Sequence, residues 1–193
     1  MKKKVLAFLG LIVFLSLGYS QTTPTLTQTS NIRFEDALAI KGQLFVKEFF
    51  PVSSDFDISF EAEISRLFFP ESKNSYYALK LTTDYYKSKI DSGKTTVLLD
   101  ESEIKSLITS INYMKQVLSN LTGKEPYTEA VYKSPGNFTF GFYASGAERK
   151  FFIEVNNKEI KFYYEERLGE IEEFFISVIA KIEELKKQTN AWR

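Results

Sequence analysis

One pattern occurs twice in the chain, first as LLDESEIKSLITSINYMKQVLSNL at residues 98–121 and again, 64 residues later, as FYYEERLGEIEEFFISVIAKIEEL at residues 162–185. In each copy the end of a strand is followed by apolar residues at helical spacing. The strand residue Leu98 corresponds to Phe162. The apolar helix positions also correspond: Ile104, Leu107, Ile111, Met114, Leu118 and Leu121 match Leu168, Ile171, Phe175, Val178, Ile182 and Leu185. The repetition predicts two equivalent helices, at about 101–121 and 166–187, each closing one repeat unit.

The first helix has start and stop signals of its own. Asp100 is a good N-cap, and Glu103 stands where the second partner of a capping box belongs. Gly123 follows the last apolar position and predicts the end of the helix.

Strand patterns precede the first helix. Apolar and polar residues alternate over 56–64, which indicates a strand with one buried face. A second strand is predicted at about 76–86 and a third at 95–99, with Asp91-Ser92-Gly93 as the hairpin turn between them. We therefore expect an antiparallel sheet in the first half of the chain.

Four short strand patterns separate the two helices, at 127–132, 138–144, 150–155 and 160–164. The segments between them are rich in turn-forming residues: Ser134-Pro135-Gly136-Asn137, Gly146-Ala147 and Asn156-Asn157. If the last two are two-residue turns, Phe140 faces Ile153, Phe142 faces Phe151, and Phe151 faces Phe162. These residues would then form the core side of a second sheet.

The predicted fold class is α+β, with two tandem β4-α units in which each antiparallel sheet is followed by a packing helix. The units span about 43–123 and 127–188 within one globular domain, 32–193. The alternative is a single antiparallel sheet with two helices on one face. The element order over 43–188 resembles that of the Whirly proteins, and one unit resembles a single-stranded-DNA-binding coactivator. The resemblance implies nucleic-acid binding, but the Lys-Gly-Lys-Ala-Ala-Leu stretch of the Whirly proteins has no counterpart, so no functional residue carries over.

The N-terminus has the pattern of a secretory signal. Three lysines at positions 2–4 precede the apolar run 5–17, and Gly18-Tyr19-Ser20 supplies small residues before a cleavage site at Gln21. The run is shorter than the roughly 20 apolar residues that span a bilayer, so residues 1–20 are predicted to be removed and no membrane span to remain. Residues 21–31 are predicted to be a flexible leader. We expect a periplasmic or extracellular protein.

Composition excludes several kinds of chemistry. The chain has no His and no Cys, which removes imidazole- and thiolate-based catalysis, thiol redox chemistry and the common zinc sites. We expect no cofactor and no metal. Without residues 1–20, the chain has 22 basic and 25 acidic side chains, a net charge of −3. This balance gives no electrostatic reason to expect nucleic acid as the main partner.

The candidate binding residues lie on the other face of the second sheet. Alternation with two-residue turns places Tyr143, Lys150, Phe152, Lys161 and Tyr163 together there. Rings interleaved with ammonium groups suit a planar or sugar ligand or a protein partner. The competing interpretation is that these rings pack against another part of the protein.

The sequence therefore predicts an exported, non-catalytic binding or protein-interaction module with an unidentified protein or small-molecule partner. A single-stranded nucleic-acid-binding protein is one alternative, suggested by the element order. The other is a hydrolase that uses two convergent carboxylates.

Overall fold

Two separate antiparallel sheets, each leading directly into a long helix, make up most of the described chain. The computed structural model describes residues 32–124 and 126–191. This α+β architecture confirms the tandem β4-α prediction and excludes the single-sheet alternative. The predicted signal peptide and the predicted leader lie outside the described residues.

The first repeat begins with a short helix and continues with a four-stranded sheet in sequential order. Its elements are α1 (Phe34–Leu38), β1 (Val46–Val52), β2 (Phe60–Phe69), β3 (Asn74–Ser88), β4 (Asp91–Asp100) and α2 (Glu101–Ser119). The predicted capping box starts α2, with the Glu103 carboxylate accepting the Asp100 N–H at 2.7 Å. The helix ends at Ser119, earlier than Gly123 suggested.

The second repeat has the same order of four strands and a long helix, without a counterpart of α1. Its elements are β5 (Thr128–Lys133), β6 (Phe138–Ser145), β7 (Glu148–Val155), β8 (Glu159–Tyr164), a 3-10 turn (Glu165–Arg167) and α3 (Leu168–Ala191). The correspondence at 64 residues also holds for the orientation of side chains, since Leu99 and Tyr163 both face the core.

Both sheets and both long helices share one hydrophobic core. Ile111 on α2 and Phe175 on α3 are completely buried in it. The helices run antiparallel, because Lys186 near the end of α3 pairs with Glu101 at the start of α2, and Lys115 in α2 pairs with Glu172 near the start of α3. The described residues form one compact unit. No helix within the described ranges combines the length and the apolar character that crossing a bilayer requires.

Two predictions for the first sheet were wrong in detail. Residues 56–59 are not strand: Phe56 is buried in the core, whereas Ile58 is fully exposed. The β3–β4 hairpin turns at Lys89-Ile90, between the paired residues Ser88 and Asp91, and not at Asp91-Ser92-Gly93. The Ser88 hydroxyl accepts the Asp91 N–H at 3.1 Å and so supplies a local hydrogen bond that turn-residue preference did not anticipate.

The β6–β7 register agrees with the prediction, but the β7–β8 register is shifted by one residue. Phe140 pairs with Ile153 and Phe142 with Phe151, as expected. Val155, however, pairs with Glu159. Asn156 and Asn157 adopt left-handed conformations, and Lys158 is left over as an extra residue after the turn. A shift of one residue reverses the direction of every side chain on β8.

Candidate binding face

The second sheet has one face in the core and one face turned away from both long helices. We call the latter the outer face. The strand pairings arrange it in three rows that cross β5, β6, β7 and β8 in that order. The rows are Glu129, Tyr143, Lys150 and Tyr164; Val131, Gly141, Phe152 and Phe162; and Lys133, Thr139, Glu154 and Ile160.

Aromatic rings in contact with one another cover much of the outer face. Tyr127, just before β5, stacks on Tyr143 with ring centroids 6.1 Å apart. Phe162 contacts Tyr143 edge-on at 6.2 Å and Phe152 at 6.3 Å. Phe162 is 58% exposed and Tyr164 67% exposed. A connected patch of this kind on the surface of a folded chain is typical of an interaction site.

Gly141 keeps the middle of this face open to the neighbouring ring. A Cβ atom at this position would lie only 2.6 Å from Phe152 Cζ, so the ring occupies the space that a side chain would fill. The Phe152 ring is thereby laid over the backbone of β6 and is half-buried. The sequence placed a glycine inside a strand pattern, and close approach of a neighbouring group is the usual reason for such a glycine.

Charged groups of both signs surround the rings. Lys150 Nζ lies 2.7 Å from Glu148 Oε1, and this hydrogen bond and the charge of Glu148 raise the pKa of Lys150 and lower that of Glu148. Lys150 therefore stays an ammonium at neutral pH, 5.9 Å from the centroid of the Tyr164 ring. Lys133 and Glu154 form no ion pair with any other residue in 32–124 or 126–191.

Three of the five predicted site residues lie on the outer face, and two do not. Tyr143, Lys150 and Phe152 are placed as expected. The prediction was wrong for Lys161 and Tyr163, which face the core because of the β7–β8 register. Phe162, predicted to be a core residue, is on the outer face instead, and Ile160 lies beside it. The error lies in the predicted length of the β7–β8 turn, because three residues, not two, separate the paired strand ends Val155 and Glu159.

Tyr163 has a well-defined role in its observed position. Its hydroxyl donates to Asp57 Oδ2 at 2.6 Å, and its ring lies 6.3 Å from that of Phe56. Burial and the hydrogen bond to Asp57 raise the pKa of Tyr163 far above that of an exposed tyrosine. Lys161 lies 3.5 Å from Glu159 and 5.8 Å from the Phe60 ring centroid. Both residues join β8 to the first repeat and are not available to a ligand on the outer face.

The equivalent face of the first sheet is different. Phe34 and Ala37 of α1 pack there against Leu67 and Ala78 and are buried. The helix is held in place by the Asp100 carboxylate, which accepts the Phe34 N–H at 2.9 Å. In the described part of the chain nothing comparable covers the outer face of the second sheet.

Beyond the cover of α1, charged side chains on the same face of the first sheet pair with one another. Lys80 lies 2.7 Å from Glu63, and Lys94 pairs with Glu61. The exposed remainder of this face therefore carries paired charges together with two exposed rings, Phe49 (48%) and Tyr86 (68%). The ammonium groups of Lys47 and Lys80 lie 5.1 and 5.8 Å from the centroid of the Phe49 ring.

A cleft of about 660 Å³ adjoins the outer face at its Tyr164 corner. Arg149 and Lys150 line it together with Glu148, Glu165 and Glu166, so neither sign of charge dominates. The Arg149 guanidinium is already engaged, donating to the Leu121 carbonyl oxygen at 2.8 Å. The cleft is best described as an extension of the outer face.

The acidic side chains that approach each other have structural partners. Glu103 is buried and accepts the Gly136 N–H at 3.1 Å in addition to that of Asp100. Arg33 lies 3.6 Å from Asp100 and 3.8 Å from Glu103. Burial raises the pKa of Asp100. Among the described residues no group of three or more acidic side chains is arranged to hold a metal ion.

Comparison of the chain with protein-family models, with curated protein sequences and with solved structures finds no match.

Proposed function

We propose that the chain is an exported, non-catalytic protein-interaction module that binds its partner through the outer face of the second sheet. The observation that carries this proposal is the connected set of exposed rings, with Phe162 at its centre. The signal-like pattern in residues 2–20 supports export.

The register of β8 supports a binding role for the outer face. It leaves Phe162 58% exposed and Ile160 50% exposed, while Lys161 and Tyr163 face inward. Solvent exposure of apolar side chains forgoes about 25 cal/mol for each Å² that could have been buried. Natural sequences depart from the rule that apolar side chains are buried chiefly at functional sites.

The charges on the outer face favour a protein partner over nucleic acid. The outer face has two basic side chains, Lys133 and Lys150, and three acidic ones, Glu129, Glu148 and Glu154, so it carries no excess of positive charge. Binding to a phosphate backbone depends on clustered Lys and Arg. Rings bordered by mixed charges match the usual composition of a protein interface.

Site-specific photo-crosslinking tests the proposal. A benzophenone amino acid in place of Phe162 should yield a covalent adduct with a protein in the cells that produce and export the chain. The matched control carries the same group in place of Tyr113, which is 64% exposed on α2. If the yield of protein adducts through position 162 does not exceed that through position 113, the outer face is not a protein-binding site. Salt-sensitive retention of a single-stranded oligonucleotide, abolished by Phe162→Ala, would instead favour nucleic acid.

A further inference from the structure

We infer that the protein bound by the outer face is a second copy of this chain. The two copies would dock face to face about a two-fold axis that lies between the sheets and runs across the strands. This inference rests on the proposed function, because it names the partner of the same surface.

The charges on β5 and β7 are arranged so that the outer face is complementary to itself. Glu129 and Lys133 lie two residues before and after Val131, at the centre of β5. Lys150 and Glu154 flank Phe152 on β7 in the same way. Each strand therefore carries opposite charges at equal distances from the central row.

A two-fold axis along the central row exchanges the first row with the third and leaves each strand opposite its own counterpart. Glu129 then faces Lys133 of the second copy, and Lys150 faces Glu154 of the second copy. Each contact occurs twice, because the interface is the same patch on both molecules. Stacked sheets lie about 10 Å apart, a gap that Glu and Lys side chains reaching from both sides can bridge.

Within one molecule the same charges do not pair across the rows. Glu129 and Lys133 are four residues apart on a strand, which corresponds to about 13 Å. Lys133 and Glu154 have no ion-pair partner among the described residues. The second copy supplies one to each of them.

The other symmetric arrangement is less favourable. An axis parallel to the strands exchanges β5 with β8 and β6 with β7, so Glu129 would face Tyr164 and Lys133 would face Ile160. Two charges would then be desolvated against apolar groups without a counter-ion, which is costly. The charge pattern thus selects the axis that crosses the strands.

The outer face, with its charged border, has the size that a dimer interface needs. Val131 is 41% exposed, Ile160 50%, Phe162 58% and Tyr164 67%, and Tyr143 and Phe152 are half-buried beside them. With about 150–250 Å² for each fully accessible aromatic side chain, these groups and the charged border offer on the order of 600–800 Å² per copy. Standard interfaces bury about 800 Å² per partner. The corresponding face of the first sheet is partly covered by α1 and carries internal ion pairs.

A pair of charge-reversal variants tests the inference, with dimerisation measured for each variant alone and for their mixture. The protein is used as it is purified from the producing cells. Analytical ultracentrifugation should find a dimer for the wild type. Lys133→Glu places two glutamates opposite each other, and Glu129→Lys places two lysines opposite each other. Each variant alone should dimerise at least about tenfold more weakly, because like charges meet twice in the interface. An equimolar mixture should recover the wild-type affinity as a heterodimer, in which every pair is again Glu against Lys.

The control is Lys187→Glu, which makes the same charge change on the exposed side of α3 and should leave the dimer unchanged. Thermal unfolding of all variants checks that the fold is retained. A wild type that stays monomeric to about 0.1 mM, a dimer insensitive to Lys133→Glu, or a mixture that does not recover overturns the inference. If position 162 then crosslinks to a different protein in cells, the proposed function stands. If position 162 crosslinks to nothing, both fail.

Discussion

The hydrogen bond between Tyr163 and Asp57 gives the sharpest test of the β7–β8 register. Tyr163 is 9% exposed and donates to the Asp57 carboxylate at 2.6 Å. Tyr163→Phe removes the hydroxyl and keeps the ring, so no large cavity forms. A hydrogen bond to a charged partner contributes about 1.5–3 kcal/mol, and its loss leaves Asp57 short of one donor. We expect the free energy of unfolding to fall by about 2 kcal/mol at pH 7.

The pH dependence of this effect follows from Asp57. Burial of the carboxyl group acts to raise its pKa, but hydrogen bonds from Ser59 and Tyr163 and the charge of Lys161 outweigh burial and leave the pKa below 3.8. A carboxyl group with a lowered folded-state pKa stabilises the fold above its unfolded pKa, and this contribution is lost as pH falls through the folded value. The difference between wild type and Tyr163→Phe should therefore be full at neutral pH and shrink as the pH falls through the folded pKa of Asp57.

Urea unfolding of a double-mutant cycle provides the measurement. The cycle combines Tyr163→Phe with Asp57→Ala and should give a coupling energy of about 1–3 kcal/mol, as expected for residues in direct contact. The control is Tyr164→Phe, one residue further along β8 but 67% exposed on the outer face, which should change stability by less than about 0.5 kcal/mol. A coupling energy within about 0.3 kcal/mol of zero would refute the observed register and restore Tyr163 to the surface.

Three further predictions concern the core, the outer face and the helix cap. Phe175→Ala should lower the free energy of unfolding by about 3–5 kcal/mol and Ile111→Ala by about 2–5 kcal/mol, because both side chains are fully buried at equivalent helix positions. If chemical denaturation of either variant matches that of the wild type, the two helices are not equivalent. Gly141→Ala should cost about 1–3 kcal/mol in thermal unfolding, and adding Phe152→Ala should recover only part of it, because a backbone carbonyl would also lie 2.8 Å from the new Cβ. Asp100→Asn should keep the helix cap. Burial raises the pKa of Asp100, so the stabilising contribution of this carboxyl group is present below its unfolded pKa and is lost as pH rises through its folded pKa. The free energy of unfolding of Asp100→Asn should therefore depend less on pH above pH 3.8 than that of the wild type. An unchanged pH dependence would contradict this prediction.

Helical periodicity and short turns made most of the fold predictable from the sequence. The repetition at 64 residues identified both long helices, and their matched positions Ile111 and Phe175 are buried. Gly146-Ala147 is a true two-residue turn, so the pairing of Phe142 with Phe151 followed directly from counting. These features are set by interactions close together in the chain, and local sequence determines them.

Features that depend on distant contacts were not predictable. Phe56 sits in an apparent strand, yet it packs against Phe174, with ring centroids 4.8 Å apart, far along the chain. The Asn156-Asn157 turn accommodates an extra residue, Lys158, whose ammonium group lies 4.6 Å from the centroid of the Tyr85 ring in the first sheet. Asn156 also donates to the Thr96 carbonyl oxygen of β4. The register of β8 is therefore fixed by contacts between the repeats.

These contacts between the repeats explain how the outer face comes to be exposed. Alternation alone would have buried Ile160 and Phe162 and left Tyr163 outside, which is the more favourable choice for an isolated sheet. Docking of the β7–β8 turn on the first sheet and the hydrogen bond from Tyr163 to Asp57 select the other register. The two repeats therefore hold each other in an arrangement whose cost is the exposure of Phe162. A second molecule covering that ring would remove the cost, so association and the docking of the two repeats should stabilise each other.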